Sequence, residues 1–83
     1  MADRVIKLKR LRKILRRYGV EEDESMGKGS HTTFYKKMDD GAIYTYPVPT
    51  HDTDVLACYV KGCRKKFELT AEDGISDKEF YGK

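Results

Sequence analysis

The chain has 83 residues, 39% of them apolar and 37% charged, with no Trp, two Cys and a net charge of +3. That composition excludes a disordered chain and leaves room for one small domain over residues 1–83 with a thin core, since so short a chain buries roughly 60–65% of its unfolded surface. No run approaches the ~20 apolar residues of a membrane span, and Met1-Ala2-Asp3-Arg4 leads into a basic stretch without an apolar signal region, so a soluble cytoplasmic protein that meets no membrane is expected. The modest net charge hides a split: residues 1–20 hold eight Lys/Arg against Asp3 alone, for +7, whereas residues 21–83 sum to −4. A concentrated positive segment points to a polyanion, with RNA or DNA first. A solvated helix face is the plainer reading.

In chain order, Asp3 is a candidate N-cap for a helix over roughly residues 4–18. Leu8, Leu11, Ile14, Leu15 and Tyr18 make its apolar stripe, and Lys9, Arg10, Arg12, Lys13, Arg16 and Arg17 fill the remaining arc. Gly19 follows as a C′ residue. The acidic run Glu21–Glu24 opposes a helix C-terminus and reads as a turn or short edge strand, so residues 20–26 are expected to supply a strand. After the loop Met26–Ser30, the runs His31–Lys37 and Ala42–Tyr46 are β-branched and aromatic, and Asp39-Asp40-Gly41 between them signals a hairpin. Pro47 and Pro49 end the second strand or hold it at a sheet edge.

His51–Asp54 offers N-caps for a second helix, whose stripe is Leu56, Tyr59 or Val60, Cys63 and Phe67. Gly62 weakens it by about 1 kcal/mol. Thr70–Asp73 reads as a cap and turn, and Ser76–Glu79 as a capping box for a last turn carrying Phe80 and Tyr81. Cys58 and Cys63 fall on one helix about 140° apart, which disfavours a disulfide between them. Zinc-finger spacing is absent, so both read as free thiols. The expected architecture is α+β: a three-stranded antiparallel sheet with two helices on one face, in the order α-β-β-β-α, and the other sheet face open.

The chemistry centres on Lys28-Gly29-Ser30-His31. Glycines permit close backbone approach to a ligand; backbone N–H groups, the Ser30 hydroxyl and the Lys28 ammonium suit phosphate. His31 opens a strand, and an imidazole with a pKa near 6.5 suits acid–base work. Alternation puts Thr32 and Phe34 on one face of that strand and His31, Thr33 and Tyr35 on the other.

The ordered set Tyr18-Gly19, Gly29-Ser30-His31, Phe34, Val48-Pro49-Thr50-His51 and Gly74-Ile75-Ser76-Asp77-Lys78-Glu79-Phe80 resembles the HicA (YcfA-like) family over nearly the whole chain. Those proteins are mRNA interferase toxins of HicAB toxin–antitoxin systems, with a double-stranded-RNA-binding-domain-like fold. The resemblance implies an endonuclease that cuts mRNA with a histidine on the sheet, needs no metal or other cofactor, and is neutralised by a HicB-like antitoxin. The family usually has Gly-Ser-His-His or Gly-Ser-Asn-His; this chain has Thr32 at the last position. The second helix region is also longer here, and its Arg64-Lys65-Lys66 run reads as a subgroup feature or an altered interaction surface.

Carried onto this chain, His31 is the catalytic imidazole and His51, the other imidazole, its candidate partner. One would take the proton of the RNA 2′-OH and the other protonate the departing 5′-oxygen, while Lys28 stabilises the phosphorane. RNA contacts are expected from Lys28, Gly29, Ser30, Thr32, Tyr35, Lys36 and Lys37, and from Arg12, Lys13 and Arg16 on the first helix. Tyr35, Tyr44 and Tyr46 offer rings for base stacking or, alternatively, cross-strand packing. A catalytically inactive RNA-binding or interaction module of the same fold is the second reading. A partner protein that binds only an acidic protein is the third.

Overall fold

The computed structural model describes residues 3–23, 31–50 and 52–82. Among them the chain order is β1 (Ile6–Lys7), α1 (Leu8–Arg17), β2 (Glu21–Asp23), β3 (His31–Lys37), β4 (Ile43–Pro49), β5 (Asp54–Val55), α2 (Ala57–Lys66) and α3 (Asp77–Tyr81), with a 3₁₀ turn at Ala71–Asp73. Strands β2, β3 and β4 form an antiparallel sheet in sequence order, as expected of an α+β domain. Strands β1 and β5 add a separate two-stranded ribbon that the sequence reading lacked.

Helix α1 buries Leu8, Leu11, Ile14 and Leu15 of the predicted stripe, while Tyr18, its last member, is half-buried at the C-cap. Each such side chain stabilises the fold by roughly 1.5–3 kcal/mol when fully buried. The helix starts four residues later than the expected residue 4, with Lys7 at the N-cap and no side-chain cap. The residues before it are taken by the ribbon: Ile6 pairs with Val55, Lys7 with Asp54, and the Leu8 amide donates to the Thr53 carbonyl at 2.8 Å. Burial of the β-branched Ile6 and Val55 outweighs one more helical turn.

The hairpin follows its turn chemistry. The Gly41 amide donates to Met38 O at 2.9 Å and the Met38 amide to Ala42 O at 2.7 Å, with Gly41 at φ +91°. That is a type I turn closed by a left-handed bulge residue, a position where a side chain is strained. Because Met38 and Ala42 are hydrogen-bonded, alternation makes 36/44, 34/46 and 32/48 the bonded pairs. Pro47 and Pro49 then fall in the non-bonded pairs, opposite Thr33 and His31. Their missing N–H groups would have pointed off the sheet, so β4 continues through both prolines as an edge strand without losing a ladder bond.

Helix α2 buries Val60 and Cys63 and ends on buried Phe67, as expected, but Leu56 is 57% exposed. The candidate caps before it are spent differently: Asp54 lies in β5, and Leu56 occupies the N-cap position with no side-chain cap. Gly62 has a packing reason to be there. A Cβ at that position would lie 2.0 Å from the Tyr46 hydroxyl, so the missing side chain is the space that the tyrosine occupies. Thr70–Asp73 forms the expected cap and turn and is itself a capping box; of the box expected at Ser76–Glu79, the Ser76 half forms, its hydroxyl accepting from the Glu79 amide at 3.1 Å.

Arg64 departs most from the sequence reading. It is 3% exposed, so only Lys65 and Lys66 of the basic run face solvent. Its Nε donates to Leu69 O at 2.9 Å, Nη2 to Ile75 O at 3.0 Å, and Nη1 to Asp3 at 2.8 Å and Asp77 at 2.7 Å. The guanidinium lies 4.6 Å from the Phe80 ring centre. The Tyr81 hydroxyl donates to the same Asp3 oxygen at 2.6 Å. Asp3 thus joins a buried cluster instead of capping α1. Burial opposes the Arg64 charge, but hydrogen bonds to Asp77 and Asp3 prevail and raise its pKa. Burial and the Asp3 hydrogen bond push the Tyr81 hydroxyl up to about 12.

Candidate nucleic-acid interface

The sheet has one covered face and one open face. Phe34 and Val48 point into the core, with Tyr46 packed against it. On the open face, register puts His31 opposite Pro49, Thr33 opposite Pro47, Tyr35 opposite Thr45 and Lys37 opposite Ile43. Strand β2 adds Asp23 beside Thr33 and Glu21 beside Tyr35. His31 is exposed, Thr33 buried at 8% exposure, Tyr35 half-buried and Lys37 exposed, in a row about 20 Å long, so Thr33 shares the face by register but not its openness. The predicted grouping of His31, Thr33 and Tyr35 on one face matches this alternation.

Other expected contacts fall elsewhere. Thr32 is 1% exposed, and among the described residues its Oγ1 has no hydrogen-bond partner. It faces the core and is out of reach of a ligand on the open face, because strand alternation turns it away from His31. Lys36 also points to the helix side, lining a groove with Met38, Tyr44, Phe67 and Glu68, while Lys37 points the other way. Tyr44 and Tyr46 face α2, with Lys66 Nζ 5.4 Å from the Tyr44 ring centre, so Tyr35 alone of the three tyrosines is on the open face. Lys28, Gly29, Ser30 and His51 lie outside the described residues.

The cations of α1 divide into two flanks. Lys9, Arg12, Lys13 and Arg16 recur at i, i+3, i+4 and i+7 and share one side. Arg10 and Arg17, seven apart, share the other, where Arg10 donates to the Tyr81 carbonyl. On the first flank Lys9, Lys13 and Arg16 are exposed. Arg12 makes a two-pronged bond to Glu22, Nε–Oε1 2.7 Å and Nη2–Oε2 3.1 Å. Glu22 was not singled out from the sequence. Its signal is alternation: between Glu21 and Asp23 on the open face, it points back towards the helices.

Arg12 also separates two grooves along this flank. One, of about 410 Å³, is lined by Arg16, Gly19, Glu21, Glu22 and Phe34. The other, of about 600 Å³, is lined by Lys7, Lys9, Thr50, Asp52 and Thr53. Thr50 is one residue past Pro49, the cross-strand partner of His31. The basic flank therefore approaches the Thr50 end of β4 on the helix side, whereas His31 lies on the open face, which carries Glu21 and Asp23 as well as Lys37. The arrangement offers an exposed imidazole on the open sheet face and, on the helix side, a line of cations of the kind that suits a polyanion.

Among the described residues no group of three or more His, Cys, Asp or Glu is placed to hold a metal ion, and no helix is long and apolar enough to cross a membrane. Cys58 is exposed and Cys63 buried, both as free thiols, and burial pushes the Cys63 thiol up to about 12. Comparison with protein families, with curated proteins and with solved structures finds no match to this chain.

Proposed function

We propose that the chain is a HicA-type toxin: an endoribonuclease with a double-stranded-RNA-binding-domain-like fold, held in check in the cytoplasm by a HicB-like antitoxin. The observation that carries this reading is His31, an exposed imidazole on the open sheet face. The ordered motifs from Tyr18-Gly19 to Gly74–Phe80 support it.

In the proposed reaction the RNA 2′-oxygen bonds to the adjacent phosphorus and the bond to the 5′-oxygen breaks. His31 takes the 2′-OH proton or gives one to the leaving oxygen, and His51 does the other. Lys28, Gly29 and Ser30 bind the phosphate, and Lys28 stabilises its added charge. Lys13 and Arg16, joined by Arg12, track the backbone, and Tyr35 offers a ring to a base. Acid–base help is worth 10²–10⁴-fold. His31→Ala is expected to lose cleavage of purified mRNA by at least that lower factor while keeping RNA affinity. Cleavage at the wild-type rate by that variant refutes the assignment.

A second reading has its own observation. The position at which the family carries another imidazole is the buried Thr32 here. An RNA-binding module without cleavage fits that substitution. RNA binding by the wild-type chain with no cut at any pH from 5 to 9 favours the module.

A further inference from the structure

Of the cations on the Lys9–Arg16 flank, Arg12 is held by a carboxylate in the geometry a phosphate would take. Guanidinium forks bind carboxylate and phosphate by the same pair of parallel N–H donors. Glu22 fills that fork with both oxygens. Its side chain is 14% exposed and that of Arg12 37%, so the arginine opens to the grooves and the glutamate lies beneath it. Glu21 lines the same groove, which adds a second negative charge near any phosphate arriving there.

We propose that Glu22 is a built-in competitor of RNA at this flank. It stands in for a backbone phosphate on Arg12, and an RNA phosphate entering the groove takes over the guanidinium fork. The affinity of the flank for RNA is then set by a carboxylate and not only by the number of cations. This rests on the proposed RNA reading of the Lys9–Arg16 flank.

The test is binding of a short single-stranded RNA, followed by fluorescence anisotropy over a range of salt, on the folded full chain. Glu22→Gln keeps the shape and removes the charge. It is expected to tighten binding roughly fivefold at low salt, the worth of one unit charge a few ångströms away in water. The log–log salt slope should steepen by about 0.7, one more phosphate neutralised on a single strand.

Arg12→Gln in the wild-type background should weaken binding less than Lys13→Gln does, because part of the Arg12 charge is already spent. In the Glu22→Gln background the same substitution should remove the whole gain. Wild-type binding that Glu22→Gln leaves unchanged in affinity and slope overturns the competitor role alone. No RNA binding by either protein overturns the RNA reading itself, and the competitor with it. Should Glu22→Gln melt out, the Arg12→Gln against Lys13→Gln comparison decides, with an equal or larger loss at Arg12 refuting the proposal.

Discussion

Arg64 and Lys13 each sit on a ten-residue helix rich in basic residues, yet they occupy opposite environments. Arg64 is enclosed, with two carboxylates, two carbonyls and an aromatic ring around its guanidinium. Lys13 is exposed, on a flank whose neighbours are other cations. The cluster around Arg64 joins Asp3, near the start of the chain, to Asp77 and Tyr81 in α3. The flank is tied to the sheet through Arg12 and Glu22 of β2, and Lys13 stands outside that pair. Positive charge in this molecule therefore serves two ends: enclosed and neutralised, it closes the fold; exposed in a row, it is available to a partner.

The contrast is broken most directly at Arg64. Removing one member of an enclosed ion pair costs about 3–5 kcal/mol, because the other charges stay behind. Arg64→Ala should lower the unfolding free energy from urea denaturation by that amount. A loss under 1 kcal/mol would mean that the cluster is as loosely held as the flank.

Acid tests the same cluster. The hydrogen bond from Arg64 holds the Asp77 carboxyl below its usual range. A depressed carboxyl adds stability that is complete above its unfolded value of about 3.9 and is lost as pH falls through the lower folded value. Urea midpoints measured from pH 6 down to pH 2.5 should fall most steeply below about pH 4. Asp77→Asn should start less stable and fall less; parallel curves would exclude Asp77 as a source of the acid sensitivity.

Tyr81→Phe sharpens the picture further. It deletes one hydrogen bond to Asp3 and leaves the ring packing, so a loss of about 1 kcal/mol is expected in the same unfolding measurement. The smallest effect belongs to the flank. Lys13→Gln should change stability by less than about 0.5 kcal/mol. The same variant should flatten the salt slope of RNA binding by about 0.7. A stability loss comparable to that at Tyr81 would show that the flank also supports the fold.

Much of the domain could be read from spacing. The α1 stripe, the Asp-Gly hairpin, the Thr70 and Ser76 caps and the open sheet face with His31, Thr33 and Tyr35 all follow from local periodicity and turn chemistry. The misses share a cause. Asp3 reads as a cap for the nearest helix start, but its partners lie 61 and 78 positions away in the chain. Arg64 looked like part of a surface run because nothing local marks which of three adjacent basic residues turns inward. The β1–β5 ribbon pairs residues some fifty positions apart over two pairs, too short to leave an alternation signal. At the candidate site, alternation turns Thr32 away from His31 and its burial takes it out of reach, although it stands among the expected RNA contacts. Glu22 has no motif around it: its role comes from Arg12 across a loop, not from its neighbours.

The two prolines of β4 bear on how the protein behaves when crowded. An uncovered strand edge is a template on which another chain can build. On the outward side of β4 only Ile43 and Thr45 retain amide donors, since Pro47 and Pro49 have none. An incoming strand could form its bonds at the hairpin end and then find no donors for the rest of its length. Replacing either proline would lengthen that template while leaving the internal ladder intact, so the expected phenotype is aggregation at high concentration with little change in melting temperature.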